Sequence, residues 1–404
     1  MSKHVVIIGA GQAAASFAAR LRQKDADCKI SIYGEEPSLP YQRPPLSKKY
    51  ATGEMTAEQL LLRPQDWYGQ NEIKCNLDCA VQAINVDAKT ISLPGGEQIN
   101  WDNLFLATGS RARTLPASIG GNLSGVYLLR SLQDADELAG ELKEGRRVVI
   151  VGGGYIGLEA AAVCRSQRLE VVLVEAADRI LQRVACEETS TWFRTLHEKR
   201  GVTIIEATGL ERFEGTDGKV TTTVLSDGRR IECDFALVGI GIISNTELAE
   251  SAGLEVNGGI AVNARCQTSN PDIYAAGDCT MFNYRNEPTR LESVQNAIDQ
   301  AECAADNIAG EVRDYNPYPW FWSDQYDIKL QIAGLNRGYD KIVVRPGERE
   351  GAVSHFYFRD EALLAVDAMS DPRTYMITKK ILEAERNITP EQAADKDLQL
   401  KSLM

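Results

Sequence analysis

The sequence predicts an α/β protein with two parallel sheets covered by helices and a C-terminal α+β domain that contains an antiparallel sheet. Three observations support this fold class. Residues 5–15, VVIIGAGQAAA, and residues 148–164, VVIVGGGYIGLEAAAVC, each join an apolar strand to a helix through glycines. Beyond about Trp320, short strand-like segments follow one another without intervening helices. Alternation of strand and helix is typical of parallel sheets, and consecutive strands are typical of antiparallel sheets.

Composition excludes several classes of protein. The chain has 404 residues, 44% of them hydrophobic, and a formal net charge of −13. Nucleic-acid surfaces need clustered Lys and Arg, which this acidic balance does not favour. No apolar run approaches the length of a membrane span, and the first strand begins within four residues of the N-terminus, which leaves no room for a signal peptide. We therefore expect a cytoplasmic protein with several domains and with neither a nucleic-acid nor a membrane partner.

The first glycine turn has the pattern G-x-G-x-x-A at Gly9, Gly11 and Ala14. The first glycine permits a tight reversal from strand to helix, and the second lets a pyrophosphate lie against the backbone. A second strand at residues 29–33 then brings Glu35 to the place of a ribose-binding carboxylate. The turn thus indicates a Rossmann-like dinucleotide-binding domain, although the same turn also occurs in strand–helix units that bind no nucleotide.

The second turn has the full pattern G-x-G-x-x-G at Gly152, Gly154 and Gly157. A strand at residues 170–174 follows, and Glu175 lies 21 positions after Gly154 (175 − 154), which is the interval expected between phosphate turn and ribose carboxylate. Two such motifs, each in its strand–turn–helix context, reinforce one another. They predict two Rossmann-like dinucleotide-binding domains.

The remaining segments define the domain order. Residues 37–50 are a proline-rich loop, residues 81–87 and 90–93 form a hairpin, and residues 103–108 form a buried strand. A strand from residue 231 leads the chain out of the second nucleotide domain. In the C-terminal part we predict strands at 329–333, 341–345, 353–358 and 362–367, then a helix at 373–386. The predicted division is 1–112 and 239–319 for the first nucleotide domain, 113–238 for the second, and 320–404 for the C-terminal domain.

Seven motifs carry a family resemblance: GAGQAA, ATG, GGGYIGLE, YAAGDC, LPYQRPPLSK, ESVQNA and PWFWSDQY. The first four resemble the flavoproteins of the glutathione-reductase fold, which bind two dinucleotides. The last three are similar to the NADH-dependent ferredoxin reductases that serve bacterial oxygenases. The resemblance covers nearly the whole chain, and it implies that the first domain binds FAD and the second binds NADH.

The resemblance also implies individual contacts. It places Lys48 and Glu159 together beside the isoalloxazine as the catalytic pair, although a carboxylate near a helix start is also favoured by the helix dipole alone. It likewise places Trp322 against the flavin, although the aromatic run of residues 320–322 also suits a plain core. The implied FAD contacts are Gly9, Gly11, Ala13, Ala14, Glu35, Lys48, Val81, Arg130, Asp278, Val294 and Trp322. The implied NADH contacts are Gly152, Gly154, Ile156, Gly157 and Glu175.

Cysteine and histidine positions limit the chemistry. The nine cysteines contain no C-x-x-C pair, and residues 36–74 contain no cysteine, so neither a zinc site nor the redox dithiol of the disulfide reductases is indicated. Most of the cysteines suit buried core positions. The three histidines, His4, His197 and His355, suit structural positions in a strand, a helix and a strand.

The residues and the resemblance together predict an FAD-dependent NADH:ferredoxin oxidoreductase. A flavin accepts two electrons as hydride and releases them singly, so the protein would reduce a [2Fe-2S] ferredoxin that feeds a cytochrome P450 or a Rieske-type oxygenase. Glu175 predicts a preference for NADH, because its carboxylate would repel a 2′-phosphate. Two alternatives stay open: an NADH oxidase or peroxidase of the same fold, and a redox-sensing interaction protein like apoptosis-inducing factor. Whether the chain is a monomer or a dimer also stays open.

Overall fold

The computed structural model describes residues 2–404, which form two compact units. The first unit contains the chain up to Gln42 together with Ala57–Arg111 and Ile242–Pro317. The second contains Arg43–Thr56, Ala112–Gly241 and Tyr318–Met404. Each unit is therefore assembled from three separate stretches of sequence.

The helices are, in chain order, α1 (Gln12–Lys24), α2 (Ala57–Leu60), α3 (Gln65–Gln70), α4 (Leu132–Ala139), α5 (Tyr155–Ser166), α6 (Glu187–Lys199), α7 (Glu247–Ser251), α8 (Val294–Ile308), α9 (Pro372–Glu383) and α10 (Pro390–Ala394). Short 3₁₀ helices span Pro44–Ser47, Ala117–Ile119 and Leu400–Leu403. No helix in residues 2–404 has the length and apolar character needed to cross a bilayer.

The strands are, in chain order, β1 (His4–Ile8), β2 (Lys29–Tyr33), β3 (Ile73–Asn76), β4 (Ala83–Asn85), β5 (Thr90–Ser92), β6 (Gln98–Asn100), β7 (Asn103–Leu106), β8 (Ser110–Ala112), β9 (Val126–Tyr127), β10 (Arg147–Val151), β11 (Glu170–Val174), β12 (Val202–Ile205), β13 (Leu210–Thr216), β14 (Lys219–Leu225), β15 (Arg230–Glu232), β16 (Phe235–Val238), β17 (Ile242–Ser244), β18 (Ile260–Val262), β19 (Ile273–Ala275), β20 (Thr280–Tyr284), β21 (Glu287–Thr289), β22 (Trp320–Gln325), β23 (Ile328–Gly334), β24 (Lys341–Pro346), β25 (Val353–Arg359) and β26 (Ala362–Met369).

The first unit is built around a parallel sheet in the order β19-β7-β1-β2-β3. Its central strand, β1, carries the buried β-branched side chains of residues 5–8, as is typical of a strand in the interior of a parallel sheet. Helices α1 and α8 pack on each other, and the Phe17 ring on α1 stacks on Phe105 of β7 with ring centroids 3.8 Å apart. The carboxyl ends of β1, β2 and β19 therefore open at one edge, where α/β sheets bind ligands.

The second unit contains a parallel and an antiparallel sheet. The parallel sheet has the order β12-β11-β10-β16-β9, and the antiparallel sheet has the order β22-β23-β26-β25-β24. The core of the antiparallel sheet includes the fully buried side chains of Phe356, Phe358 and Val366, against which α9 packs through Tyr375 and Ile381. The predicted fold class, two parallel α/β sheets and a C-terminal antiparallel sheet, is confirmed.

Two local expectations need correction. The predicted single strand from residue 231 is three strands, β15, β16 and β17, and each belongs to a different sheet. The apolar run hides the breaks, because Cys233 and Asp234 turn the chain between β15 and β16, and glycines separate β16 from β17. In addition, the aromatic run that begins at Trp320 is itself a strand, β22, which was not predicted from the sequence.

Candidate functional site

The turn after β1 has the geometry of a phosphate-binding turn. Gly9 has φ +106°, and a Cβ there would lie 2.1 Å from the Ala107 carbonyl oxygen, so only glycine fits. A Cβ at Gly11 would meet no atom within 4 Å, so the space beside this residue is open. Ala13 and Ala14 are buried where α1 begins. The turn is thus tightly packed at Gly9, and the space beside Gly11 is open to a ligand.

The turn after β10 repeats this geometry in the second unit. Gly152 has φ +110°, and its Cβ would lie 2.3 Å from the Gly239 carbonyl oxygen. A Cβ at Gly154 would meet nothing within 4 Å, whereas one at Gly157 would lie 2.0 Å from the Gly152 carbonyl oxygen. Ile156 follows with an exposed side chain, at 47%. Gly152 is therefore required by its positive φ and Gly157 by its close contact with the backbone, whereas Gly154 leaves open the space that a pyrophosphate would occupy, as the motif requires.

The helices that follow these turns have uncapped N-termini. Gly11 and Gly154 are the N-cap residues of α1 and α5; neither has a side chain to cap the helix, and neither helix has an acidic residue in its first turn. By contrast, Ser131 and Ser293 cap α4 and α8 with their hydroxyl groups. The free N–H groups and the positive end of the helix dipole suit a phosphate at α1 and at α5. The residues present therefore fit two dinucleotide pyrophosphates.

The two ribose candidates lie at the ends of second strands. Glu35 follows β2 and is exposed. Glu175 follows β11, and its carboxylate accepts hydrogen bonds from the Gly153 N–H at 2.6 Å and the Ala177 N–H at 2.8 Å. The Glu175 carboxylate is thereby held against the second turn.

Three further residues of the first unit were assigned to FAD. Asp278 follows β19, and its carboxylate accepts a hydrogen bond from the Ser110 hydroxyl at 2.9 Å. Val294 is the first residue of α8, and Val81 lies just before β4; both are partly buried. Asp278 lies at the carboxyl edge of the sheet where the first turn opens.

The structure brings Lys48 and Glu159 together within the second unit. The Lys48 ammonium lies 3.0 Å from Glu159 Oε1, and the Glu159 side chain is only 4% exposed. Two hydroxyl groups complete the site: Ser47 donates to Glu159 Oε2 at 2.8 Å, and Ser323 donates to Oε1 at 2.7 Å. Asp324 lies farther from the Lys48 ammonium, at 4.0 Å. A buried carboxylate with this many donors is compensated as an anion.

Ser47 and Ser323 were not among the residues predicted from the sequence. Ser47 ends the 3₁₀ helix that Pro44 and Pro45 begin, and that helix directs both Ser47 and Lys48. Ser323 lies on β22, whose strand character was not assigned. Strand alternation would have provided a signal, because Ser323 and Gln325 share one face of β22 and both are fully buried.

Arg130 and Trp322 complete the assigned residues of the second unit. The Arg130 carbonyl oxygen accepts a hydrogen bond from the Arg43 guanidinium at 2.7 Å, and the Arg130 N–H donates to Asp134 at 2.8 Å. Trp322 on β22 has its ring centroid 5.6 Å from that of Trp320, and both rings are partly buried. These contacts fix the backbone at Arg130 and the aromatic row on β22.

Cysteine chemistry is not supported at any of these positions. All nine cysteines are free and, except for Cys75 and Cys79, buried. Burial raises the pKa of the Cys75 thiol to about 11, so this thiol is protonated at neutral pH. Among residues 2–404 no group of His, Cys, Asp and Glu has the arrangement of a metal site.

The histidines lie in structural positions. His4 is in β1, with Nε2 3.0 Å from the Ser31 hydroxyl oxygen. His197 in α6 and His355 in β25 are buried, and burial lowers the pKa of each imidazole to about 4. Both are neutral at physiological pH.

Two phosphate turns of this geometry define a protein that binds two dinucleotides, and a buried Lys–Glu pair accompanies them without a dithiol. The chain belongs to the pyridine nucleotide-disulphide oxidoreductase family, whose model matches residues 3–301, and its residues 320–404 match the reductase C-terminal domain.

Two relatives and one solved structure are similar over nearly the full length. Rhodocoxin reductase of Rhodococcus erythropolis is 41% identical over 98% of this chain and 93% of its own. A ferredoxin–NAD(P)+ reductase of a Sphingomonas species is 41% identical over 99% of this chain and 97% of its own. The covalent putidaredoxin reductase–putidaredoxin complex contains a chain with a TM-score of 0.96 at 38% identity, covering 99% of this chain and 98% of that one.

Proposed function

We propose that this protein is an FAD-dependent reductase that takes hydride from NADH and passes single electrons to a [2Fe-2S] ferredoxin. The ferredoxin would feed a cytochrome P450 or a Rieske-type oxygenase. The observation that carries the proposal is the pairing of two open phosphate turns with a Lys48–Glu159 ion pair and no dithiol in one chain. The similarity to reductases named for a ferredoxin, and to one solved in a complex with putidaredoxin, supports the partner.

The proposal assigns the two turns to two cofactors. The N-terminus of α1, together with Gly9, Gly11, Ala13 and Ala14, would hold the FAD pyrophosphate by N–H donation and dipole. Glu35, Val81, Arg130, Asp278, Val294 and Trp322 would make the remaining FAD contacts. On this assignment residues 1–112 and 239–319 form the FAD domain, 113–238 the NADH domain, and 320–404 the C-terminal domain.

The second turn would hold NADH. Gly152, Gly154 and Gly157 would admit the NADH pyrophosphate at α5, with Ile156 beside it. The Glu175 carboxylate, already oriented by two backbone N–H groups, would accept hydrogen bonds from the adenosine ribose. The same charge would repel a 2′-phosphate, so NADH would bind better than NADPH.

The proposed hydride transfer needs no nucleophilic residue, and the Lys48–Glu159 pair would support it by charge and orientation. A bound flavin supplies the conversion of a hydride pair into single electrons. Lys48 would place a positive charge where reduction adds negative charge, and Glu159 would orient the carboxamide side of the nicotinamide. Because Glu159 is buried and hydrogen-bonded, the ammonium is held in place before the reaction begins.

Ferredoxin docking would need a local basic patch, since the chain carries a net charge of −13. The candidates are Arg63, Arg290, Lys379 and Lys380. Arg290 lies 2.7 Å from Glu292, and Lys379 lies 2.5 Å from Glu383, so a carboxylate compensates each charge. In the described chain no carboxylate pairs with Arg63 or Lys380, and both are exposed. These two therefore have the most charge to offer a partner.

A cytoplasmic location is part of the proposal, because nine free thiols suit a reducing compartment.

The proposed function is tested by anaerobic addition of NADH to the FAD-loaded protein, followed by cytochrome c reduction with and without a [2Fe-2S] ferredoxin. We expect rapid bleaching of the flavin and ferredoxin-dependent reduction. A protein that retains no FAD would contradict the proposal. Rapid oxygen consumption without ferredoxin would indicate an oxidase, and slow turnover with a change in assembly would indicate a redox sensor.

A further inference from the structure

A line of buried polar side chains leads to Glu159 from α6. Ser323 and Gln325 on β22 and His197 on α6 are all fully buried, which is unusual for such groups unless each finds a partner. Tyr326, the residue after β22, lies at the far end of the line. All of these residues belong to the second unit.

Each neighbour in the line is within hydrogen-bond distance of the next. The Tyr326 hydroxyl lies 3.2 Å from His197 Nδ1, and His197 Nε2 lies 2.8 Å from Gln325 Oε1. Gln325 Nε2 donates to the Ser323 hydroxyl oxygen at 3.2 Å, and that hydroxyl donates to Glu159 Oε1 at 2.7 Å. The line is continuous from Tyr326 to the Lys48–Glu159 pair.

Hydrogen-bond chemistry fixes the direction of every link. An ionised Glu159 only accepts, so the single proton of the Ser323 hydroxyl is directed to it, and Ser323 must then accept from Gln325. The Gln325 amide therefore turns its oxygen to His197, which must carry its proton on Nε2. The remaining ring nitrogen, Nδ1, accepts from the Tyr326 hydroxyl. Burial keeps the imidazole neutral by lowering the His197 pKa, as this arrangement requires.

Ser323 gives Oε1 of Glu159 a partner that is fixed on a strand. The terminal torsion of a Glu side chain is broad and roughly twofold, so a carboxylate held at one oxygen rotates easily. Ser47 holds Oε2, while Ser323 holds Oε1, the same oxygen that pairs with Lys48. Without Ser323 the Lys48 pair alone would hold Oε1, and Lys48 is a flexible side chain that is 19% exposed.

We propose that His197, Gln325 and Ser323 are positioning residues that orient the Glu159 carboxylate and, through it, the Lys48 ammonium. The orientation of Glu159 is a statement about this chain alone. Its consequence for hydride transfer rests on the function proposed above. A relay of protons is not involved, because the Gln325 amide gives and receives hydrogen bonds without changing its protonation.

Two variants break the line at constant backbone. Ser323→Ala removes the donor to Glu159. Gln325→Glu keeps the size of the side chain but replaces the N–H donor with an acceptor. The Ser323 hydroxyl would then donate to the new carboxylate instead of to Glu159, and the added negative charge would favour a protonated His197. Ser354→Ala is the matched control, because Ser354 is also fully buried on the same sheet and donates to a carboxylate, that of Asp371, at 2.9 Å.

The first readout does not depend on activity. With three histidines in the chain, ¹⁵N-histidine NMR resolves each ring, and His197→Gln assigns the His197 signals. We expect His197 in the parent to be neutral with its proton on Nε2 at pH 7, and to become charged in Gln325→Glu. A crystal structure of Ser323→Ala should show a rotated or multiply placed Glu159 carboxylate. A proton on Nδ1 in the parent, or an unmoved Glu159 in Ser323→Ala, would overturn the proposal.

The second readout is hydride transfer, followed as flavin bleaching in the stopped flow. Displacement of a reacting arrangement by a fraction of an ångström to an ångström costs about 10- to 100-fold in rate, and we expect that loss in Ser323→Ala and Gln325→Glu but not in Ser354→Ala. Rates within twofold of the control in both variants would refute the positioning role. If the parent itself is not reduced by NADH, the proposed function fails, while the NMR and crystallographic results still decide the orientation of Glu159.

Discussion

Gly154 and Gly157 lie three residues apart in one turn, yet the structure predicts opposite outcomes for their replacement by alanine. At Gly154 a Cβ meets nothing within 4 Å, and the backbone, with φ −80° and ψ −177°, is one that any residue adopts. At Gly157 a Cβ would lie 2.0 Å from the Gly152 carbonyl oxygen. That contact is with backbone, so it is relieved only by moving α5 away from the turn.

The expected free energies follow from these contacts. Gly157→Ala should lower the free energy of unfolding by about 1–3 kcal/mol, the usual cost of overpacking. Gly154→Ala should change it by less than about 1 kcal/mol, because alanine restricts the unfolded chain more than glycine does, and this gain offsets its disadvantage as an N-cap. Its methyl group would stand where the pyrophosphate approaches. We therefore expect NAD+ to bind at least about tenfold more weakly, which is 1.4 kcal/mol.

Urea unfolding and calorimetric titration with NAD+ separate the two effects. Gly154→Ala should unfold like the parent and bind NAD+ poorly, whereas Gly157→Ala should be measurably less stable. Unchanged NAD+ affinity in Gly154→Ala would show that this turn does not hold the pyrophosphate. Parent-like stability in Gly157→Ala would show that α5 does not approach Gly152 as closely as the structure has it.

Four further outcomes are expected. Glu175→Gln should narrow the NADH over NADPH preference by about tenfold in steady-state kinetics, because it removes an acceptor for the ribose and a charge that repels the 2′-phosphate. Asp278→Ala should weaken FAD retention by about 10- to 100-fold, measured by absorbance after dialysis, because a charged hydrogen-bond acceptor is lost. Lys380→Glu should raise the apparent KM for ferredoxin and leave the reduction of a neutral dye unchanged. Rising salt should slow only the ferredoxin reaction, since charges are screened beyond about 10 Å at 0.1 M salt. His197→Gln should flatten the acid limb of stability, because the unfolded imidazole binds its proton near pH 6.5 and the folded one near 4, so unfolding takes up a proton between these values. The contribution of His197 to the stability of the parent thus falls by roughly 3 kcal/mol as the pH falls through that window.

Matched variants give each outcome its control. Glu170→Gln changes an exposed carboxylate at the start of β11 and should leave the cofactor preference unchanged. Asp272→Ala removes a 40% exposed carboxylate that pairs with Lys89 and should leave FAD bound. Equal salt sensitivity of the ferredoxin and dye reactions would exclude a basic docking patch. A difference in stability between the parent and His197→Gln that is level between pH 6.5 and 4 would show that His197 is not held neutral.

The two turns could be predicted from the sequence because all of their determinants are local. Strand, glycines and helix are contiguous, so the pattern at Gly152, Gly154 and Gly157 contains the whole argument. The Lys48–Glu159 contact is not local: the two residues are 111 positions apart (159 − 48), and only the family resemblance linked them. The line from His197 to Ser323 was not predicted, since it joins α6 to a strand whose aromatic residues hid its alternation.

In the proposed function, the proline-rich segment contributes a positive charge, the Lys48 ammonium, rather than a dithiol. A disulfide reductase hands electrons to sulfur, and a thiolate can adjust its protonation and bonding during the reaction. Here residues 36–74 contain no cysteine, so the proline-rich segment itself supplies no thiol to accept electrons. What this segment can offer is a fixed charge: Pro44 and Pro45 hold the 3₁₀ helix that ends at Ser47, and Lys48 follows it into contact with a buried carboxylate. A preorganised charge stabilises a charged state without reorganisation, so on the proposed function Lys48 would stabilise the added negative charge without forming a bond to it.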